Sequence, residues 1–214
     1  MTGSPRRIRG GINLDRFSFF FAFYGLILGL AVTELLGGFA GMVRARALKR
    51  IEPQTALLAL LTFIVICATW IDAWVSLRTI TLDFAGLWAP ILLATVYYLA
   101  AAVVFPRNPP EYEQLATYYA ERKRFVVGML LAAEFLVNFT FRHVFGAELQ
   151  HRPAVFWLWN LPYNLSIKAA FIALLVVRGR RANVALLVLL ILLFTIPYWE
   201  GGMIASAIAR QYGY

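Results

Sequence analysis

Cysteine is all but missing from this chain. Cys67 stands alone inside an apolar run, so no intrachain disulfide can form and its simplest role is a small buried filler. Charge is scarce as well: Asp, Glu, Lys and Arg make up 14% of the 214 residues, where a soluble domain carries about a quarter. Enzyme signatures are also wanting, with no nucleophile elbow, no HExxH, no CxxC and no glycine-rich phosphate loop, so no catalytic residue is assigned. His143 and His151 lie too close together for axial haem ligands on facing helices, and a retinal Schiff base on Lys168 does not suit six spans. No cofactor and no metal is expected.

What fills the space is apolar: 61% of residues are hydrophobic and the mean hydropathy is +0.71. Such a chain belongs in a bilayer. The +9 net charge sits in tail and loop clusters between apolar runs, which points to anionic lipid headgroups and away from nucleic acid. Arginine outnumbers lysine seventeen to three in an Ala-rich sequence, the codon bias of a GC-rich bacterium, so a bacterial inner membrane is the expected location.

A helix rises 1.5 Å per residue and needs about 20 apolar residues to cross the hydrocarbon, and six runs qualify: 17–43, 55–77, 84–105, 125–146, 154–177 and 183–208. The expected fold is an all-α polytopic bundle of six transmembrane helices in one domain. It divides into a basic N-terminal tail over 1–16, three helices over 17–105, a linker over 106–124 and three helices over 125–214. The Phe17–Val43 run exceeds the apolar region of about 7–15 residues in a signal peptide, so it reads as a permanent span. In the linker, Pro109-Pro110, Glu111 and Glu113 mark a helix start, and Arg122, Lys123 and Arg124 mark its end. Tyr112, Leu115 and Tyr119 share one face, which predicts a separate amphipathic helix lying at the headgroups.

Sliding the chain against itself by 100 residues pairs Glu34 with Glu134, Phe39 with Phe139, Pro53 with Pro153, Arg78 with Arg178, Thr95 with Thr195 and Tyr98 with Tyr198. Three spans per half would make a 3+3 repeat inverted in topology, as in many channels and transporters. The connections after spans one, three and five hold more Lys and Arg than the other side. Four arginines ahead of span one pull the opposite way, and they set the expectation of an inside N-terminus, with dual topology left open.

Ionisable groups at bilayer depth cost several kcal/mol and mark functional sites. Glu34 and Glu134 are the deepest, and a pseudo-two-fold axis would bring them together to share a proton or bind a cation. Asp72 and Arg142 lie near the ends of their runs and read as interfacial. Glu134, Asn138 and Arg142 form a polar stripe along span four. Span five carries Asn160, Pro162, Asn164 and Lys168, whose ammonium could pair with Glu134 or Glu200. Pro197, Glu200, Gly201 and Gly202 predict a helix break in span six that exposes backbone carbonyls. Gly25, Gly29, Thr33, Gly37 and Gly41 form a small-residue stripe for close packing of span one on another helix.

Together these features make the expected function a small channel or proton- or cation-coupled transporter, with Glu34, Glu134, Asn138, Lys168 and Glu200 as its binding site. The second expectation is a non-catalytic subunit that packs into a homo-oligomer or a larger, energy-transducing membrane complex. The third is a membrane-embedded enzyme acting on lipids or isoprenoids.

Overall fold

A computed structural model of the chain describes residues 8–47, 51–76, 84–107, 114–150 and 154–199. Among them are six helices and no strand: α1 (Ile8–Arg44), α2 (Pro53–Ser76), α3 (Phe84–Val104), α4 (Leu115–Gln150), α5 (Ala154–Val176) and α6 (Arg180–Trp199). Within the described residues each apolar run of the sequence corresponds to one helix, and residues 200–208 of the sixth run lie outside them. Two stretches, Ser18–Arg44 and Pro53–Ala73, are long and apolar enough to cross a membrane, and Trp88–Val104 and Asn160–Val176 are shorter apolar segments. The described part of the basic tail is helical too, since α1 begins at Ile8.

Local chemistry sets the ends. α1 closes in a Schellman motif: Ala47 N–H donates to the Met42 carbonyl and Arg46 N–H to that of Val43, with Arg46 at φ 55° and Ala47 and Met42 both buried. α2 opens with Pro53 at its first position, and the Glu52 carbonyl accepts from Ala56 N–H. α3 stops two residues before Pro106, as the restricted geometry ahead of proline requires. Gly179 caps α6, accepting both the backbone and the side-chain N–H of Asn183.

Residues 115–124 form no separate interfacial helix. They are the first turns of α4, which continues unbroken to Gln150. The face holding Leu115 and Tyr119 is buried against protein, with Lys123, Val126 and Val127 continuing it. Tyr118 Oη donates to the carbonyls of Val103 (2.9 Å) and Phe105 (3.2 Å). The amphipathic pattern is real, but what it covers is the end of the bundle. Tyr112 lies outside the described residues.

α1 packs most extensively on α3, α3 on α4 and α2 on α6, while α5 lies against α4 and α6. The interior is built from one apolar stripe per helix, including Tyr24, Leu28 and Leu35 on α1, Tyr97 on α3, Leu130 on α4 and Phe171 on α5. The outer faces are apolar too, with Phe19, Leu60, Trp88, Phe139, Leu158 and Leu192 exposed, one on each helix in order.

One pair matched at the 100-residue offset makes the same local bond, as Thr33 and Thr62 also do. Thr95 and Thr195 each close a hydroxyl bond onto the carbonyl four residues back, Ile91 and Ile191. The packing does not repeat. A two-fold relation would turn the α1–α3 contact into an α4–α6 contact and the α3–α4 contact into one between α6 and α1. Among the described residues neither of those pairs is extensively packed.

Candidate functional site

A cavity of about 220 Å³ lies between α2, α4, α5 and α6. Its polar lining is Thr69 and Asp72 from α2, Glu134 and Asn138 from α4, and Asn160, Tyr163 and Asn164 from α5. Ala68, Val137, Ile167 and Phe194 complete the wall. Glu134 is buried, with 7% of its surface exposed, whereas Asp72 is at the open side. Each polar residue reaches the cavity by helical spacing: Glu134 and Asn138, and likewise Asn160 and Asn164, are four apart and share a face.

Asn164 directs both of its amide N–H groups at Asn160, and Asn138 directs one of its two at its own helix. Asn138 Nδ2 donates to the Glu134 carbonyl at 2.7 Å, and Asn164 Nδ2 to the Asn160 carbonyl at 2.9 Å and to Asn160 Oδ1 at 3.0 Å. The oxygens of Asn138 and Asn164 remain as acceptors, beside two carboxylates. A lining so rich in oxygen suits a proton or a hard cation. At about 30 Å³ per water, the cavity has room for several waters or a partly hydrated ion.

Lys168 stands behind this lining. Its ammonium donates to the Asn164 carbonyl at 3.3 Å and sits 5.8 Å from the centre of the Phe135 ring. Lys168 and Asp72 are the charges whose fields act on Glu134. The lysine therefore balances one carboxylate without filling the cavity. Among the described residues no three His, Cys, Asp or Glu side chains gather as a metal cluster would require.

The proline of α6 is tied to the same cavity. α6 stays helical through Pro197 to Trp199. Proline has no N–H, so the Leu193 carbonyl, four residues earlier, loses its helical partner. Tyr163 Oη fills that vacancy, donating to Leu193 O at 2.7 Å. The freed carbonyl is consequently bound inside the protein and is no ligand for an ion. Glu200, Gly201 and Gly202 lie outside the described residues, as does the Arg142 side chain.

Glu34 is elsewhere. Its carboxylate is paired with Arg107, three residues past the end of α3, and accepts from Tyr98 Oη at 3.3 Å. Glu134 lies sixteen residues beyond Tyr118, about 24 Å of helix below the level at which Tyr118 meets the end of α3. The two glutamates, matched by the 100-residue offset, occupy different sites at different depths. Of the expected site residues, the structure brings together Glu134, Asn138 and Lys168.

Asp72, Asn160, Asn164, Tyr163 and Thr69 were outside the expected set. Asp72, read from the sequence as interfacial, is exposed four residues before the end of α2 and also lines the cavity. Asn160, Pro162 and Asn164 form a polar run in an otherwise apolar segment, and its two asparagines line the cavity. Tyr163 carried no signal beyond its type, because its role depends on α6.

The stripe on α1 faces outward. A methyl group added at Gly29 or Gly37 would meet nothing within 4 Å, and Thr33 satisfies its hydroxyl on the Gly29 carbonyl at 2.8 Å. Gly25 has only an ordinary approach, 3.4 Å to Trp70 Nε1. The close approach is at Gly38, where an added Cβ would lie 2.8 Å from Phe105 Cβ. No protein-family model, no curated protein and no solved structure matches the chain.

Proposed function

We propose that the chain is a six-span inner-membrane protein that binds a proton or cation at the Glu134 cavity and works as a small channel or coupled carrier. The observation that supports this most is the buried Glu134 facing Asp72 across a small cavity walled by amide and hydroxyl oxygens. A carboxylate buried at bilayer depth is costly, and Glu134 is held there against the wall of a polar cavity, which marks it as the working group. The outward apolar residues on every helix support the six spans, since helices apolar all round need lipid. In this reading the duplication is ancestry: the halves keep local bonds and have diverged in packing, leaving the working carboxylate in the second half and a structural ion pair in the first.

A second reading, an integral subunit of a larger membrane complex, is favoured by one observation. Gly29, Thr33 and Gly37 present a small-residue face that none of the described residues covers, which is where a partner helix approaches closely. Reconstitution in liposomes under an imposed pH or cation gradient separates the two. Wild-type flux that disappears in Glu134→Gln and persists in Glu34→Gln supports transport. Flux indifferent to Glu134→Gln removes the cavity from the pathway, and absence of flux for every ion, with a stoichiometric partner in native-membrane purification, supports the subunit.

A further inference from the structure

At the end of the bundle where α2, α4 and α6 begin and α5 stops lies a larger cavity of about 700 Å³ that shares no residue with the first. Four cations line it, Lys123, Arg124, Arg178 and Arg180, against two carboxylates, Glu52 and Glu121. Glu52 is drawn to Arg180, at 3.9 Å. Lys123 is the unusual member, with only 6% of its surface exposed. Two of its three donors are used, on the Val177 carbonyl at 2.5 Å and Asn183 Oδ1 at 3.0 Å, and both acceptors are neutral. Among the described residues no carboxylate pairs with it.

A buried ammonium facing a cavity that is already cationic is expensive unless an anion shares the space. Burial first, and then the neighbouring Arg124, lower the proton affinity of Lys123, so its charge is held there at a cost that an anion in the cavity would offset. The positive ends of α2 and α6 point the same way. Three of the four cations are arginines, whose planar forks match phosphate oxygens two at a time, while lysine contributes a point charge.

We propose that this cavity binds a phosphate-bearing anion, held by Lys123 at its base and by Arg178 and Arg180 at its mouth. The chemistry is shared by a phospholipid headgroup and by a soluble phosphate, and the cavity exceeds what inorganic phosphate alone would fill. The site stands independently of the Glu134 cavity, so either can fail alone.

The test uses the full chain purified in a neutral detergent. Thermal midpoints are measured with inorganic phosphate against chloride at matched ionic strength. In parallel, native mass spectrometry follows retention of phosphatidylglycerol against phosphatidylcholine. Arg178→Gln with Arg180→Gln is compared with Arg44→Gln with Arg46→Gln, which removes the same charge from the end of α1. Losing the charged hydrogen bonds weakens binding about tenfold or more in the first pair and leaves it unchanged in the second. Retention of phosphatidylglycerol without a phosphate effect identifies a lipid headgroup, and stabilisation by phosphate as well admits soluble phosphates. Neither effect, or equal losses in the two double variants, overturns the proposal.

Discussion

Single residues decide where polar backbone is left exposed inside this bundle. Tyr163 is the clearest case, because its hydroxyl answers the carbonyl that Pro197 strands at Leu193. Tyr163→Phe leaves that carbonyl without a partner and is expected to cost about 1–3 kcal/mol, read as a lower midpoint on detergent unfolding. An unchanged midpoint would show that water serves Leu193 equally well. Arg46 offers the opposite sign. Its φ of 55° lies in the region that suits glycine, so Arg46→Gly relieves strain against a larger entropy loss and is expected to gain up to about 1 kcal/mol in the same assay. A loss there would mean that the Arg46 side chain contributes more than its backbone costs. Residue-level chemistry was only half visible beforehand. That Glu134 and Asn138 share a face follows from spacing alone, but that Arg107 reaches back to Glu34 depends on α3 packing parallel to α1.

Helices were the most readable level. Runs of about 20 apolar residues admit no other structure in lipid, and the expected span of 154–177 differs from the observed α5, Ala154–Val176, by one residue. Faces were harder to read. Periodicity shows that Leu115 and Tyr119 turn the same way without saying whether lipid headgroups or α3 and α6 lie opposite, and the answer is protein: Tyr119 Oη donates to Asn183 at 3.4 Å. The glycines of α1 make the same point. Gly38→Ala collides with Phe105 Cβ and is expected to cost about 1–3 kcal/mol. Gly29→Ala and Gly37→Ala fill open space and should each gain about 0.5–1 kcal/mol in the isolated chain, through helix propensity. Thermal scans of the three variants give the comparison. A loss at Gly29 or Gly37 that appears only in native membranes would reveal a helix from another chain on that face.

At the scale of the whole molecule, the ends of α1, α3 and α5 share one face with the starts of α2, α4 and α6. Lys123 bound to Val177, Gln54 bound to Arg180 and Tyr118 bound to Val103 hold that face together. The six-span reading therefore predicts that single cysteines at Arg46, Arg107 and Arg178, introduced in Cys67→Ser, react with an impermeant thiol reagent from the same side of sealed vesicles. Labelling from opposite sides would break it. The fixed offset matches residues along the chain, but packing order is a property of three dimensions, and among the described residues the extensive α1–α3 packing has no comparable counterpart between α4 and α6. The proposed function requires a carboxylate that exchanges protons or cations inside the Glu134 cavity. Infrared difference spectroscopy of the reconstituted protein, stepping pH and then adding a cation, reads that carboxyl directly. A carboxyl band that responds to both steps and vanishes in Glu134→Gln, while surviving in Glu34→Gln, is the predicted result. A spectrum in which no carboxyl responds, or in which the responding band persists in Glu134→Gln, would contradict it.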